Sequence, residues 1–185
     1  MEFKDLPQTK KGSLGEQELD KYLLSKGIIP YMPIANAAHP FDRLCATADK
    51  KRLYVAECKT KASRSAYPDT GINKRSFDEY VYIREKYGID VWLFFIDEFR
   101  MEIYGNLLSE LEKPHKINYN NKVIEYPWIQ ESWNKTKIIY FPLEKMIKVS
   151  DISAEAAEQM KLLSNRSYSY PKYQIKLSGD DQTRT

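Results

Sequence analysis

Apolar positions recur at helical spacing early in the chain. Leu14, Leu19, Tyr22 and Leu23 form one stripe, set among polar and charged neighbours. Ser13 precedes the stripe with Glu16 three positions on, the form of a capping box, and Gly27 stands where a left-handed residue closes a helix. The pattern predicts a helix beginning at Ser13, with residues 1–12 as a loose basic arm. Residues 28–34 read as extended, and Pro30 and Pro33 assign them to a sheet edge. Residues 41–48 and 52–59 read as the two arms of a hairpin turning at Asp49-Lys50-Lys51. Residues 60–75 are polar, basic and broken by Pro and Gly, which predicts a loop. A second helix is expected from Ser76, again with a capping-box acid, Glu79, and with Gly88 to end it. Residues 89–96 are almost wholly apolar, as in a strand covered on both faces. Beyond them the pattern predicts a returning strand over 99–104, a short helix over 106–112, an irregular stretch over 113–135 and a strand over 137–141. An amphipathic helix over 153–163 follows, and the tail over 178–185 has nothing to order it.

Composition narrows the picture. A chain of 185 residues, 42% hydrophobic and 30% charged, supports one domain with a real core. We take that domain as residues 13–150, with its core over 13–104, then a C-terminal helix and a basic Tyr-rich segment over 151–177. The longest apolar run, residues 91–96, is far short of the ~20 residues a membrane span needs. The N-terminus lacks the apolar stretch of a secretory signal. Two cysteines, Cys45 and Cys58, make neither a disulfide framework nor a four-thiolate zinc site. An intracellular, cytoplasmic setting is the simplest expectation.

Charge is unevenly spread. Between Arg43 and Arg75 stand nine Lys or Arg against three acids, a local +6 in a chain whose net charge is +3. Such a stretch fits either a solvated basic surface or a polyanionic partner. The Arg166 to Lys176 stretch interleaves Tyr168, Tyr170 and Tyr173 with cations, as in segments that stack bases, or as in a tail that packs its rings on the domain. His39 reads as a loop histidine.

One constellation could carry chemistry. On a strand, Glu57 and Lys59 point to one face, beyond Leu53 and Val55. If opposed hairpin residues sum to 99 or 101, Asp42 joins that face, opposite Glu57 or Lys59; an even sum turns it away. Two carboxylates at one point need a cation or a proton between them. Mg²⁺ suits such oxygens, can make a water more acidic for attack on phosphorus, and offsets charge on the departing oxygen. A lysine beside it can hold that water or stabilise the transition state. The bland alternative is a Glu57–Lys59 salt bridge, with Glu16 as a helix cap and Tyr80 as core packing. Cys58 has no histidine neighbour in sequence and reads as a packed thiol.

Pro40-Phe41-Asp42 followed by Glu57-Cys58-Lys59 resembles the signature of the PD-(D/E)XK nucleases. With Glu16 on the preceding helix, the resemblance extends to the Holliday-junction-resolvase branch or a phage-type relative. It spans about residues 12–97 and implies a mixed α/β, restriction-endonuclease-like fold with an αβββαβ core, a central mixed sheet flanked by helices, and C-terminal additions. It implies that Asp42, Glu57, the Cys58 carbonyl and Glu16 hold Mg²⁺, with Mn²⁺ as substitute, and that Lys59 assists the water. The catalytic set is then Glu16, Asp42, Glu57 and Lys59, and the products carry 5′-phosphate and 3′-hydroxyl ends. The exonuclease branch adds a Gln and a Tyr four residues apart on the next helix. Here Tyr80 is present and the Gln is not, which favours an endonuclease. Expected DNA contacts are Lys10, Lys11, Arg43, Lys61, Arg64, Lys74, Arg75 and Tyr80. A resolvase would be a homodimer, because it cuts two strands symmetrically. The rival readings are a restriction- or repair-type nuclease or exonuclease on duplex or single-stranded DNA, and a non-catalytic nucleic-acid-binding module.

Overall fold

The computed structural model describes residues 5–33, 40–132 and 134–164. The first helix, α1 (Pro7–Ser25), begins six residues before Ser13. Pro7, whose fixed φ suits the first helical turn, sets the start. Ser13 is therefore interior, its hydroxyl donating back to the Thr9 carbonyl at 3.1 Å, and the capping-box reading is overturned. So is the loose arm over residues 7–12, which is helical. The C-terminal end is as expected. Gly27 takes φ +70°, Gly27 N–H bonds Leu24 O and Ile28 N–H bonds Leu23 O, the paired bonds of a Schellman motif.

The chain continues as β1 (Ile29–Tyr31), β2 (Arg43–Ala46) and β3 (Leu53–Thr60). β4 (Asp69–Asn73) and α2 (Lys74–Tyr87) follow, and β5 (Asp90–Asp97) completes the crossover. The main sheet runs β1-β2-β3-β5-β6-β11, with β6 (Glu102–Leu107) and β11 (Ile147–Asp151) returning on the far side. β3 and β5 are parallel and the other neighbours antiparallel. β1, with its proline, lies at the edge, and β5 lies in the middle. Setting β4 aside, the order is the expected αβββαβ core, and the class is mixed α/β with a central mixed sheet flanked by helices.

Beyond α1 the structure differs from expectation elsewhere; the returning strand expected over 99–104 is β6, shifted to 102–107 by a turn at 98–101. The stretch 60–75 is not all loop, because β4 pairs with β10 (Lys137–Pro142) in a second sheet ordered β4-β10-β9. The stretch 113–135 holds β7 (His115–Tyr119), β8 (Lys122–Tyr126) and β9 (Trp128–Glu131). α2 begins at Lys74, after an Asn73 N-cap that makes no side-chain bond, so Ser76 caps nothing. A one-turn helix, α3 (Leu108–Leu111), stands where 106–112 was expected helical. α4 (Ala154–Leu162) is capped by Ser153, whose hydroxyl accepts from Ala156 N. No described helix is long and apolar enough to cross a membrane. His39 and the tyrosine-rich stretch from Arg166 lie outside the described residues.

The main sheet divides two cores. Cys45, Ala56, Cys58, Phe94 and Ile96 pack with Leu19 and Leu23 of α1 and with Ala157 and Met160 of α4. Val55, Leu93 and Phe95 face Phe77, Tyr80 and Ile83 of α2, with Ile139 and Phe141 of the second sheet behind. Strand alternation thus gives even and odd residues of β3 to different helices.

α1 crosses the end of β3 closely. A Cβ on Gly15 would lie 1.8 Å from Thr60 Oγ1 and 3.0 Å from Thr60 Cβ. Gly15→Ala gains helix propensity but forces α1 outward. We expect a net loss of about 1–3 kcal/mol, seen as a lower urea midpoint. An unchanged midpoint would mean α1 has slack against β3.

Candidate active site at the end of the β2–β3 hairpin

The hairpin register places the site. Arg43 pairs with Ala56, Leu44 with Val55 and Cys45 with Tyr54, so opposed residues sum to 99, one of the two expected registers. The turn is fixed by Asp49, whose carboxylate accepts from Thr47 Oγ1 at 2.5 Å and from Lys51 N at 3.2 Å. Continuing the register one step sets Asp42 opposite Glu57, on the α2 side of the sheet.

β2 ends at Arg43, so the next amide of β3 on that side lacks a strand partner. Asp42 Oδ2 fills the gap, accepting from Cys58 N at 2.8 Å. In a strand the amide and carbonyl of one residue point the same way. The Cys58 carbonyl therefore faces the gap beside Asp42. Arg43 fixes the other side of this corner. Its guanidinium donates to the Asp42 carbonyl at 2.8 Å, to Asp20 at 2.9 and 3.0 Å, and to Glu16 at 3.1 Å.

Glu57 is the most constrained member. It is 3% exposed, the Lys59 amine donates to Oε1, and Oε2 is buried with no hydrogen-bond partner. The Tyr80 hydroxyl stands near this carboxyl without completing a bond to Oε2, and it also interacts with Ser76 one turn earlier on α2. Burial holds the Glu57 carboxyl above its ordinary range. The Lys59 ammonium opposes that shift and the Asp42 charge adds to it. Burial pulls the Lys59 amine down, but Glu57 and Asp42 outweigh it and hold the amine above its ordinary value. Burial and the neighbouring Glu57 raise the Tyr80 phenol. Burial raises the Cys58 thiol well above its ordinary value, which removes it as a nucleophile.

A raised carboxyl titration has a definite sign. The folded state keeps the Glu57 proton to higher pH than the unfolded chain does. Stability is therefore lost as pH rises from the ordinary glutamate range through the raised value. Glu57→Gln should raise stability at neutral pH by about 0.5–2 kcal/mol in divalent-free buffer. The gain should vanish near pH 4, below the range in which the wild-type group loses its proton. Lys59 is 37% exposed and can turn to water in the variant. Thermal unfolding at both pH values checks this; a variant less stable than wild type at neutral pH contradicts it.

The structure brings Asp42, Glu57 and Lys59 together and sets Glu16 behind them, near enough to act on the Cys58 thiol. Glu16 lies on the α1 side, ion-paired to Arg43. Among the described residues no three His, Cys, Asp or Glu side chains form a metal cage. Two opposed carboxylates, a backbone carbonyl facing the same gap and an orphaned buried oxygen still suit a hard divalent ion, because Mg²⁺ keeps several waters of its own.

Several expected DNA contacts are committed elsewhere. Arg43 is buried in its acid cluster, and Lys11 pairs with the buried Glu98 at 2.5 Å. Arg64 forms a two-pronged pair with Asp69 and lies over the rings of Tyr67, Trp128 and Tyr140. Lys61 donates to the Gly71 carbonyl at 3.0 Å. Tyr80, at 3% exposure, belongs to the wall of the site rather than to an outer surface. Lys74 pairs with Asp78, while Lys10 and Arg75 present exposed cations. The sequence reading missed Ser76 as a partner of Tyr80, for which the i, i+4 spacing was the available signal.

No family model matches the chain, and no curated protein matches it. Among solved structures the chain is similar to Hjc, a Holliday junction resolvase of Archaeoglobus fulgidus. The TM-score is 0.49 and the identity 12%, over 79% of this chain and 99% of that one.

Proposed function

We propose that this protein is a divalent-metal-dependent DNA endonuclease that hydrolyses phosphodiester bonds. The observation that carries this reading is the buried, unpartnered Oε2 of Glu57, set on the face that Asp42 and Lys59 share. An isolated buried carboxylate oxygen is costly, and a cation relieves that cost.

Asp42, Glu57 and the Cys58 carbonyl would hold Mg²⁺ or Mn²⁺. Such an ion would supply a more acidic water and offset charge on the departing oxygen. The protein's own groups do the rest. Asp42 is oriented by its bond from Cys58 N, and Arg43 fixes its backbone from behind. Lys59 stays cationic at neutral pH because Glu57 and Asp42 raise its amine. It is therefore suited to stabilise charge on the phosphoryl oxygens rather than to take a proton. Tyr80 walls the Glu57 carboxyl on the α2 side, and Ser76 interacts with the Tyr80 hydroxyl.

The resemblance makes four-way junction DNA the first substrate to test, with a homodimer as the expected cutting unit. A second reading rests on the Glu57–Lys59 pair, which satisfies both charges without a metal and fits a non-catalytic binding module. Purified protein with Mg²⁺ or Mn²⁺ on labelled four-way junction, duplex and single-stranded DNA separates the two. The proposal predicts cleavage that requires the metal and leaves 5′-phosphate ends. Binding with no cut in any DNA form is the outcome of the second reading.

A further inference from the structure

A groove of about 1030 Å³ runs between α2 and the β9–β10 hairpin. Pro40, two residues before Asp42, and Ser76, the partner of Tyr80, are among its lining residues. Its volume lies at the upper end of small-molecule pockets, yet its walls are open to solvent, as the exposure of Arg75, Tyr82 and Tyr87 shows. Open walls of this kind admit a chain.

The lining is cationic and aromatic. Lys74, Arg75, Lys135 and Lys137 stand against Asp78 and Glu79, a surplus of two positive charges. Lys74 and Arg75 are paired to those two acids along α2. The surplus is therefore Lys135 and Lys137, on the opposite wall. Ser132 N–H bonds Thr136 O at 2.9 Å, Lys135 N–H bonds Ser132 O at 2.9 Å, and the Asn134 side chain accepts from Thr136 N at 3.2 Å. Tyr82 and Tyr87 are 53% and 60% exposed, with ring centroids 6.3 Å apart and edge to face. Lys86 donates to the Tyr82 hydroxyl at 2.5 Å and lies over both rings.

We infer that this groove is a track for a single strand of nucleic acid leading to the Asp42–Glu57–Lys59 site. Exposed rings offer faces on which unpaired bases stack, and the facing lysines offer cations to a phosphate backbone. A duplex keeps its bases stacked inside and gains nothing from the tyrosines. The inference rests on the nuclease reading, and it names the form of the substrate that reading left open.

The test uses binding alone, on full-length Glu57→Gln protein in divalent-free buffer, so that loss of cleavage does not enter. The probes are fluorescein-labelled oligothymidylate and a duplex of equal length, read by anisotropy across a salt series. Lys135→Ala with Lys137→Ala should weaken oligothymidylate binding at least tenfold. It should also flatten the dependence of log K on log salt by about 1.4, from about 0.7 for each lost phosphate contact. Tyr82→Ala with Tyr87→Ala should weaken it at least fivefold with the salt slope unchanged, and duplex binding should move less than twofold. Circular dichroism melts establish that each variant is folded. Wild-type affinity in both double variants overturns the inference, as does an equal loss for duplex. Equal affinity for a polyglutamate peptide of matched charge also overturns it, because the groove would then read charge only. Binding as expected with no cleavage by the wild type would leave the track standing and remove the nuclease reading.

Discussion

Lys59→Ala should reduce metal-dependent DNA cleavage by about 10²–10³-fold while leaving DNA affinity within a few-fold of wild type. The asymmetry follows from position. The Lys59 amine is bound to Glu57 in the free protein and faces the gap shared with Asp42, so its charge acts where charge builds up on the phosphoryl group. It contributes one cation to a larger basic surface, so binding barely depends on it. Lys59→Arg should recover little, because a guanidinium is longer and planar and does not sit as a point charge on Oε1. Single-turnover cleavage with saturating enzyme separates the chemical step from binding. Equal rates for Lys59→Ala and wild type would reduce the Glu57–Lys59 pair to an ordinary salt bridge.

The second large effect lies away from the site. Asp69 is fully buried and accepts four hydrogen bonds. Arg64 donates two of them at 2.5 Å, Tyr126 OH one at 2.9 Å and Trp128 Nε1 one at 3.3 Å. This carboxylate joins the segment after β3 to β4, to the end of β8 and to β9. Asp69→Ala removes the counter-charge of the partly buried Arg64 guanidinium and an acceptor of the Tyr126 hydroxyl. We expect a loss of about 3–5 kcal/mol, measured as a fall in the urea midpoint. Because β4 leads directly into α2, which carries Tyr80, activity should fall with the fraction folded and no further. A loss under about 1 kcal/mol would mean that Arg64 finds water in the variant, against the packing described.

The part of the molecule that carries the site was readable because its interactions are local. Asp42, Glu57 and Lys59 belong to one hairpin, and its register follows from a short polar turn and strand alternation. The strand at 89–96 was readable from its unbroken apolar run. The second sheet was not. β4 reads as Asp-Thr-Gly-Ile-Asn, polar and glycine-broken, and becomes a strand only by pairing with β10 about seventy residues later. Gly71 serves that pairing by close approach, since a Cβ there would lie 2.4 Å from the Ile139 carbonyl. The β7–β8 hairpin did leave a local signal. Asn120 and Asn121 both take positive φ, the requirement of a two-residue type I′ turn, and an Asn pair between apolar-alternating arms marks it. Both helix starts were misplaced for one reason. A Ser-x-x-Glu pattern competes with other starting devices, and Pro7 supplied one for α1. Charge counts do not tell which cations meet acids across the fold, and Arg43, Lys11 and Arg64 each do so.

The most direct test of the account is anomalous diffraction from crystals soaked in Mn²⁺. The account predicts a peak between the carboxylates of Asp42 and Glu57, within coordination distance of Glu57 Oε2, and its loss in Glu57→Gln. A peak on the α1 side beside Glu16, or none at saturating Mn²⁺, would contradict it.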